Sequence, residues 1–315
     1  MERLNSSPVT ADQIDSLGHL NVRFYVSRMD QANRSLLLQQ GIAPGKGQAL
    51  RRVDTYNKFR REQFEGAVLE TWGGLIEPEP GFMTPGFTGY YEIRNVDTGD
   101  VAASFLAVSQ LINAETQAIE HNTECDQAFV SAAKVSVPSD GLPRSLSLDM
   151  PGDVSLDTLL VAIPEDISPG NMTGRRENVV LPEDCDPATG RLHEETDLMS
   201  IVFRPMPNEP GAEAMGPPIQ RDDEGRRYAW AMMETRSIVR HYPRAGDAVL
   251  ALSGDIAFGE KWRQTRRWMF VPETGRLLGI SDSLAICIDL DQRRAISMPQ
   301  DVRDWIGKTC VPHLA

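Results

Sequence analysis

The sequence predicts an α+β chain in which a helix is wrapped by antiparallel sheet, and it predicts that this arrangement occurs twice. Three observations carry the prediction. Residues 15–41, DSLGHLNVRFYVSRMDQANRSLLLQQG, hold an apolar run at helical period: Val22, Val26, Met29 and Leu36 fall at near-helical spacings, and Phe24, Tyr25, Leu37 and Leu38 widen the stripe. Strand-patterned segments with tight turns follow as far as residue 112. Short stretches of the second half then repeat the layout of the first at nearly constant offsets.

Residues 1–14 lead into or form a first strand, with Val9 and Ile14 as its only good strand formers. Asp15, Ser16 and Asn21 each suit a helix N-cap, so several starts are open, and Gly41 suits the position just past the helix end. The wide stripe implies a helix covered on most sides. Residues 43–47 form a Pro/Gly turn, and residues 50–64, LRRVDTYNKFRREQF, read as a strand with one solvated face. AVLETWGGLI, Tyr90 to Ile93 and Val101 to Ile112 read as further strands, the last two joined by the turn Asn95 to Gly99. Residues 113–130 form a short closing helix.

Residues 131–178 contain five prolines and four glycines among many serines, which marks a connection between two lobes, with VSLDTLLVAI as an ordered piece inside it. The expected domains are therefore 1–130, a connection over 131–178, and 179–315. In the second half Asp186 matches Asp15 at an offset of 171, Gly246 matches Gly66 at 180, and Gly275 matches Gly99 at 176. Offsets that drift by a few residues are what a repeated unit with small insertions produces.

The totals exclude several classes. A chain of 315 residues with 41% hydrophobic and 24% charged content can fill two ordinary cores. A net charge of −13 argues against nucleic acid or an anionic membrane surface as partner. Cys125, Cys185, Cys287 and Cys310 form no CxxC and read as reduced thiols of a cytoplasmic protein. The reading expects no signal peptide and no membrane span, so the sequons at Asn5, Asn33 and Asn171 carry little weight. GIAPGKGQ lacks P-loop spacing, HEETD at His193 lacks the second histidine of HExxH, and no GxSxG occurs. His19, His121, His193, His241 and His313 do not cluster, so no metal site is expected.

The chemistry concentrates at Asp15. A carboxylate just before the positive end of a buried helix can activate water, and free N–H groups there can hold an oxygen that gains negative charge. A helix-capping aspartate is the plain alternative. Gly18 allows close backbone approach, or serves an ordinary turn. His19 either orients a bound group or ties the loop to a backbone carbonyl, Asn21 bonds the loop back on itself, and Tyr25 is core or pocket wall. Glu62 and Glu234 fall on expected strands and face either solvent or a cleft.

Asp15-x-x-Gly18-His19-x-Asn21, with Tyr25 four residues on, resembles the signature of hot-dog-fold acyl thioesterases, both the hydroxybenzoyl-CoA thioesterase family and the acyl-ACP thioesterases. Two positions depart from the pattern: Val22 stands where a second Asn is usual, and Leu17 where the acyl-ACP enzymes place a catalytic Asn. RHYPRAGD, TRRWMFVPETGRLL and DLDQRRAISMPQDVRDW, between Ala229 and Trp305, resemble the strand-rich part of acyl-ACP thioesterases.

The resemblance implies two hot-dog domains in tandem packed as an internal pseudo-dimer, and hydrolysis of an acyl-CoA, or of an acyl-ACP, to free acid and thiol in lipid metabolism. It implies Asp15, Gly18, His19 and Asn21 as catalytic residues, with Asp15 as nucleophile or as base for water. Tyr25, Arg60 and Arg61 would contact substrate, and Asp186 would be the counterpart in a degenerate second lobe. Coenzyme A or an acyl carrier protein would enter as part of the substrate, with no other cofactor. The acidic chain disfavours long-range steering of an anion such as coenzyme A, so a local basic patch is needed. Arg51, Arg52, Lys58, Arg60 and Arg61, and Lys261, Arg263, Arg266 and Arg267, are the candidates, with solvated strand faces as the alternative. A hydratase or dehydratase of the same fold and a non-catalytic acyl-ligand binder are the rival functions. The oligomeric state stays open between a monomer and a homo-oligomer.

Overall fold

The computed structural model describes residues 1–77, 83–166, 173–187, 189–193, 198–202, 204 and 219–314. Asn171 and residues 194–197 of the HEETD stretch lie outside the described residues. The chain divides into two compact units, residues 1–150 with 236–238, and residues 151–235 with 239–315.

The first unit runs β1 (Glu2–Pro8), α1 (Val22–Gln39), β2 (Gln48–Phe59), β3 (Val68–Leu75), β4 (Phe87–Asn95), β5 (Val101–Asn113) and α2 (Thr123–Ser131). Its strands lie in the order β1-β3-β4-β5-β2, each neighbouring pair antiparallel. α1 packs on β1, β3, β4 and β5. Of the candidate caps, Asn21 is the N-cap, its Oδ1 accepting the Arg23 N–H at 3.0 Å. At the other end Gly41, with φ of +79°, donates to Leu38 O while Ile42 N–H donates to Leu37 O, the paired bonds of a Schellman turn.

The helix is covered on most sides, but not by the expected stripe alone. Val22 and Leu38 are 39% and 49% exposed, while Arg28, Asp30 and Asn33 are buried. Apolar period understates the buried face because these polar groups find partners inside. Asn33 accepts from the Tyr91 hydroxyl at 2.8 Å and donates to Ser109 Oγ at 3.0 Å, and Asp30 lies 3.0 Å from Arg52.

β2 also differs from expectation, since every residue from Leu50 to Asn57 is buried instead of one face being solvated. Its charges are matched in place: Asp54 pairs with Arg236 at 2.8 Å and Arg52 with Asp30. Residues 132–150, read from composition as connection, are built into this unit. Val135 N–H donates to Leu75 O, Lys58 Nζ donates to the carbonyls of Asp140 and Leu142, and Arg236 donates to those of Ser147 and Asp149.

The second unit runs α3 (Leu156–Ala162), β6 (Gly174–Val179), β7 (Cys185–Asp186), β8 (Arg191–Leu192), α4 (Leu198–Val202), β9 (Gln220–Arg221), β10 (Arg227–Val239, of which residues 236–238 belong to the first unit), β11 (Ala248–Phe258), β12 (Trp262–Val271), β13 (Arg276–Asp289), β14 (Arg294–Ala295) and α5 (Gln300–Thr309). Its main sheet has the order β6-β11-β12-β13-β10, the same as in the first unit. α3, capped by Ser155, is the ordered piece read inside VSLDTLLVAI. β6 starts inside the stretch read as connection. Its polar GRREN gives no alternation to read, and it pairs on one side only, with β11. Val249, Ala251 and Met269 pack with α4, while Leu252, Trp268 and Phe270 pack with α3 and the C-terminal turn Pro312–Leu314, so the strands bury both faces.

The offsets read from the sequence reappear as paired hydrogen bonds. In the first unit Val9 N–H donates to Ala67 O and Gly66 N–H to Val9 O; in the second Val180 N–H donates to Asp247 O and Gly246 N–H to Val180 O. Gly99 N–H donates to Asn95 O, and Gly275 N–H to Val271 O. Gly66 and Gly246 have φ of +85° and +90°, and Gly99 and Gly275 have +71° and +65°, so each pair answers the same left-handed requirement.

Candidate active site

The site is a hairpin placed between a short 3-10 turn (Ala11–Gln13) and the start of α1. Ile14 and Leu20 bridge across it, Asp15 N–H donates to His19 O at 2.9 Å, and Gly18 N–H donates to Asp15 O at 3.0 Å. Gly18 closes the turn with φ of +81°, and nothing lies within 4 Å of where its Cβ would stand. Asn21 N–H donates to Gln13 O at 3.0 Å, which seats the hairpin directly on the helix cap. The expected catalytic residues Asp15, Gly18, His19 and Asn21 are thus brought together by one local structure.

The Asp15 side chain is only 5% exposed. Its Oδ1 accepts the Leu17 N–H at 2.9 Å, and its Oδ2 lies 3.4 Å from His19 Nδ1. The other imidazole nitrogen, Nε2, lies 3.7 Å from Glu62 Oε1. His19 is therefore flanked by two carboxylates, one desolvated and one, on Glu62, 41% exposed. Glu62 sits just past the end of β2 and not on a strand; Leu20 N–H donates to Gln63 O at 2.7 Å, which fixes that loop against the hairpin. Two backbone donors, the N–H of His19 on the hairpin and that of Val22 at the first residue of α1, bond to no protein group among the described residues. The Gly18 N–H, by contrast, is spent inside the hairpin.

Tyr25 is buried, its hydroxyl donating to Arg61 O at 3.1 Å and its ring edge-on to Phe59 at 5.8 Å. Burial pushes its phenol well above the usual range, Arg28 opposes that shift, and Glu62 and Asp15 add to it. The hydroxyl therefore stays protonated and lies within the field of all three groups. Arg60 does not join the cluster: its guanidinium bonds Asp140 and Ser104 Oγ. Arg61 has an exposed side chain.

The second unit repeats the hairpin without its chemistry. Cys185 pairs with Leu192, Gly190 N–H donates to Asp186 O at 2.7 Å, and His193 N–H donates to Asp184 O at 2.8 Å. Asp186 thus holds the position of Asp15. His193 holds that of Asn21 and not of His19, where Arg191 stands with its Nη1 bonded to Tyr242 O at 3.0 Å.

The second basic cluster is mostly structural. Arg263 and Arg266 are buried and paired with Asp255 and Asp282 at 2.5 and 2.7 Å, and Arg267 is buried beside them. Glu234 is buried on β10. Among the described residues no three His, Cys, Asp or Glu side chains are grouped to hold a metal ion.

No protein-family model matches the chain, and no curated protein sequence matches it. Solved structures do. The 12:0-ACP thioesterase from Umbellularia californica superposes with a TM-score of 0.61 at 11% identity, over 91% of this chain and 94% of that one. An acyl-ACP thioesterase from Bacteroides thetaiotaomicron superposes with a TM-score of 0.57 at 8% identity, over 89% and 96%. The chain has the tandem hot-dog fold. In each hot-dog unit the five-stranded order is the same, and only the first carries an aspartate and a histidine on the hairpin that precedes the helix. Sequence reasoning named that hairpin and missed the position of Glu62. Its signal was the end of the apolar pattern at Phe59, which puts the RREQ segment in a loop.

Proposed function

We propose that the chain hydrolyses an acyl thioester, with acyl-CoA as the substrate in preference to acyl-ACP. The observation that carries the reading is His19 standing between the buried Asp15 carboxylate and Glu62, with its own N–H and that of Val22 at the start of α1 unspent among the described residues. Likeness of fold to acyl-ACP thioesterases supports it. Leu17, which can neither donate nor accept through its side chain, supports the acyl-CoA form over the acyl-ACP form.

In this reading the thioester carbonyl oxygen points at the His19 and Val22 N–H groups, where the partial positive charge of the helix start stabilises the developing oxyanion. Asp15 takes a proton from water as its oxygen adds to the carbonyl carbon. The C–S bond then breaks and the departing thiolate takes up that proton. His19 holds the Asp15 oxygen in place, and Glu62 holds His19 from its far side. Gly18 leaves room for the acyl carbonyl, Asn21 fixes the hairpin to α1, and Tyr25 and Arg61 form the wall beside it. These steps use a carboxylate, an imidazole and water; coenzyme A enters as part of the substrate. The basic group that would meet its phosphates is Arg61, since Arg60 is committed to Asp140. Asp186 is the relic of the same site in the duplicated second unit. A reducing, cytoplasmic setting belongs to the same proposal, supported by four free thiols.

Thiol release from a panel of acyl-CoA and acyl-ACP thioesters tests the reading, with Glu62→Gln beside the wild type. The expected result is turnover of acyl-CoA, reduced by about 10- to 100-fold in Glu62→Gln at little change in KM. No release from any thioester, or the same rate with and without the Glu62 carboxylate, would overturn it.

A further inference from the structure

The Asp15 hairpin is held by a buried cation that meets no carboxylate among the described residues. Arg28, on the second turn of α1, is 5% exposed. Its guanidinium donates to Ser7 Oγ at 3.2 Å, Phe24 O at 3.1 Å, Pro8 O at 3.0 Å and Gln13 Oε1 at 2.8 Å. All four acceptors are neutral. A buried arginine ordinarily meets a carboxylate, because an uncompensated charge in the interior is costly. The second unit offers a paired counterpart. There Arg204, part-buried with its side chain 27% exposed, bonds both carboxylate oxygens of Asp184 at 2.6 Å.

Gln13 and Asp184 are the same position. Each ends the 3-10 turn before the hairpin, and each carbonyl accepts from the residue just past the hairpin's second arm, Asn21 N–H on Gln13 and His193 N–H on Asp184. The arginine grip on that residue is thus present in both units. The carboxylate is replaced by an amide only in the unit that carries Asp15 and His19. The amide preserves the hydrogen bond and leaves the arginine charge unspent. That charge lies in the same cluster as the Tyr25 phenol, which also feels Asp15 and Glu62.

We propose that Arg28 is the positioning residue of the Asp15 hairpin, gripping it through Gln13, and that the neutral Gln13 leaves the Arg28 charge to offset the paired carboxylates of the site. This rests on the thioester-hydrolase reading. Gripping works through geometry: Gln13 lies two residues before Asp15 and bonds Asn21, so both ends of the hairpin hang from one guanidinium. Offsetting works through charge. Beside His19 stand Asp15 and Glu62, Tyr25 lies in the field of both, and Arg28 is the buried cation in that field.

The decisive variant is Gln13→Glu, which installs the second unit's arrangement and should fold, since Arg204 and Asp184 show that it fits. Its expected effects are an unchanged or higher thermal midpoint, a loss in kcat of about tenfold or more, and KM within about threefold. Gln13→Met loses the hydrogen bond and adds no charge, so it separates the two roles: it should lower kcat less than Gln13→Glu does, because only the carboxylate neutralises the Arg28 charge. Arg28→Lys keeps the charge and loses the fork; it should lower kcat comparably to Gln13→Glu. Wild-type kcat in both Gln13→Glu and Arg28→Lys, or a Gln13→Met kcat as low as that of Gln13→Glu, would overturn the proposal. If the wild type releases no thiol at all, the hydrolase reading falls, while a Gln13→Glu thermal midpoint below wild type would overturn the Arg28 grip by itself.

Discussion

Asp54→Ala should be among the most damaging single substitutions in the first unit. Asp54 is wholly buried on β2 and Arg236 is 2% exposed. The carboxylate accepts two bonds from Arg236, at 2.8 and 3.1 Å, and two from Thr84, both at 3.0 Å. Removing it leaves a guanidinium buried with, among the described residues, only the carbonyls of Ser147 and Asp149 and the Met150 sulfur. Breaking one side of such a pair costs about 3–5 kcal/mol. For a unit of this size that is a fall of roughly 6–20 °C in thermal midpoint. The assay is differential scanning fluorimetry, with Glu70→Ala as control; Glu70 meets Arg3 at a surface where solvent screens the pair, so its midpoint should stay near wild type. Asp54→Ala combined with Arg236→Met should recover much of the loss, because the orphaned charge is gone. A midpoint for Asp54→Ala no lower than the control would refute the reasoning, since the burial of β2 would then not depend on matching its charge.

Two further outcomes follow from groups outside the site. Burial, with Arg276, Arg191 and Arg240 nearby, holds the His241 imidazole below its usual range. The unfolded chain therefore binds that proton first, so the contribution of His241 is complete above about pH 6.5 and is lost as pH falls through that value toward the folded one. His241→Gln should flatten the decline in thermal midpoint between about pH 7 and pH 5; identical slopes would contradict this. Burial pushes the Cys287 thiol up to about 12, and Cys125 and Cys185 are also buried. Under native conditions at about pH 8 a thiol reagent should reach only the half-buried Cys310, and slowly, with all four reacting in guanidinium chloride. Fast labelling of Cys287 in the folded protein would count against that burial.

Much of this molecule is legible before folding because its signals are local. The helix-period run, the αL glycines at 18, 66, 99, 246 and 275, and the Asn21 cap all report their own neighbourhoods. They place the Asp15 loop, the succession of strands along the first unit and the repeat. What the sequence hides is set by contacts between distant segments. Arg28, Asp30 and Asn33 only interrupt the apolar stripe of α1 in the sequence, and Gln13, Arg52, Tyr91 and Ser109, far along the chain or outside the helix, are what satisfy them inside. Glu62 looks like one more charge on a strand until Leu20 and Gln63 bring its loop to the hairpin. His193 looks like a displaced His19 because spacing counts residues, whereas the hydrogen bond to Asp184 shows that it stands at the helix cap. β6 pairs on one side only and carries no alternation, so only its partner β11 identifies it.

The proposed hydrolysis stands or falls with the Asp15 carboxylate. The deciding assay is thiol release from the best acyl-CoA of the panel by Asp15→Asn, with a circular dichroism melt run beside it. Asparagine keeps the shape and can still accept the Leu17 N–H, so the fold should persist with a midpoint close to wild type. Chemistry at the carboxylate requires a fall in kcat of about a thousandfold or more, because the amide can neither take a proton from water nor attack the carbonyl. A variant that melts like wild type and turns over within a few fold of it would make Asp15 a turn residue in front of a helix and remove it from the reaction.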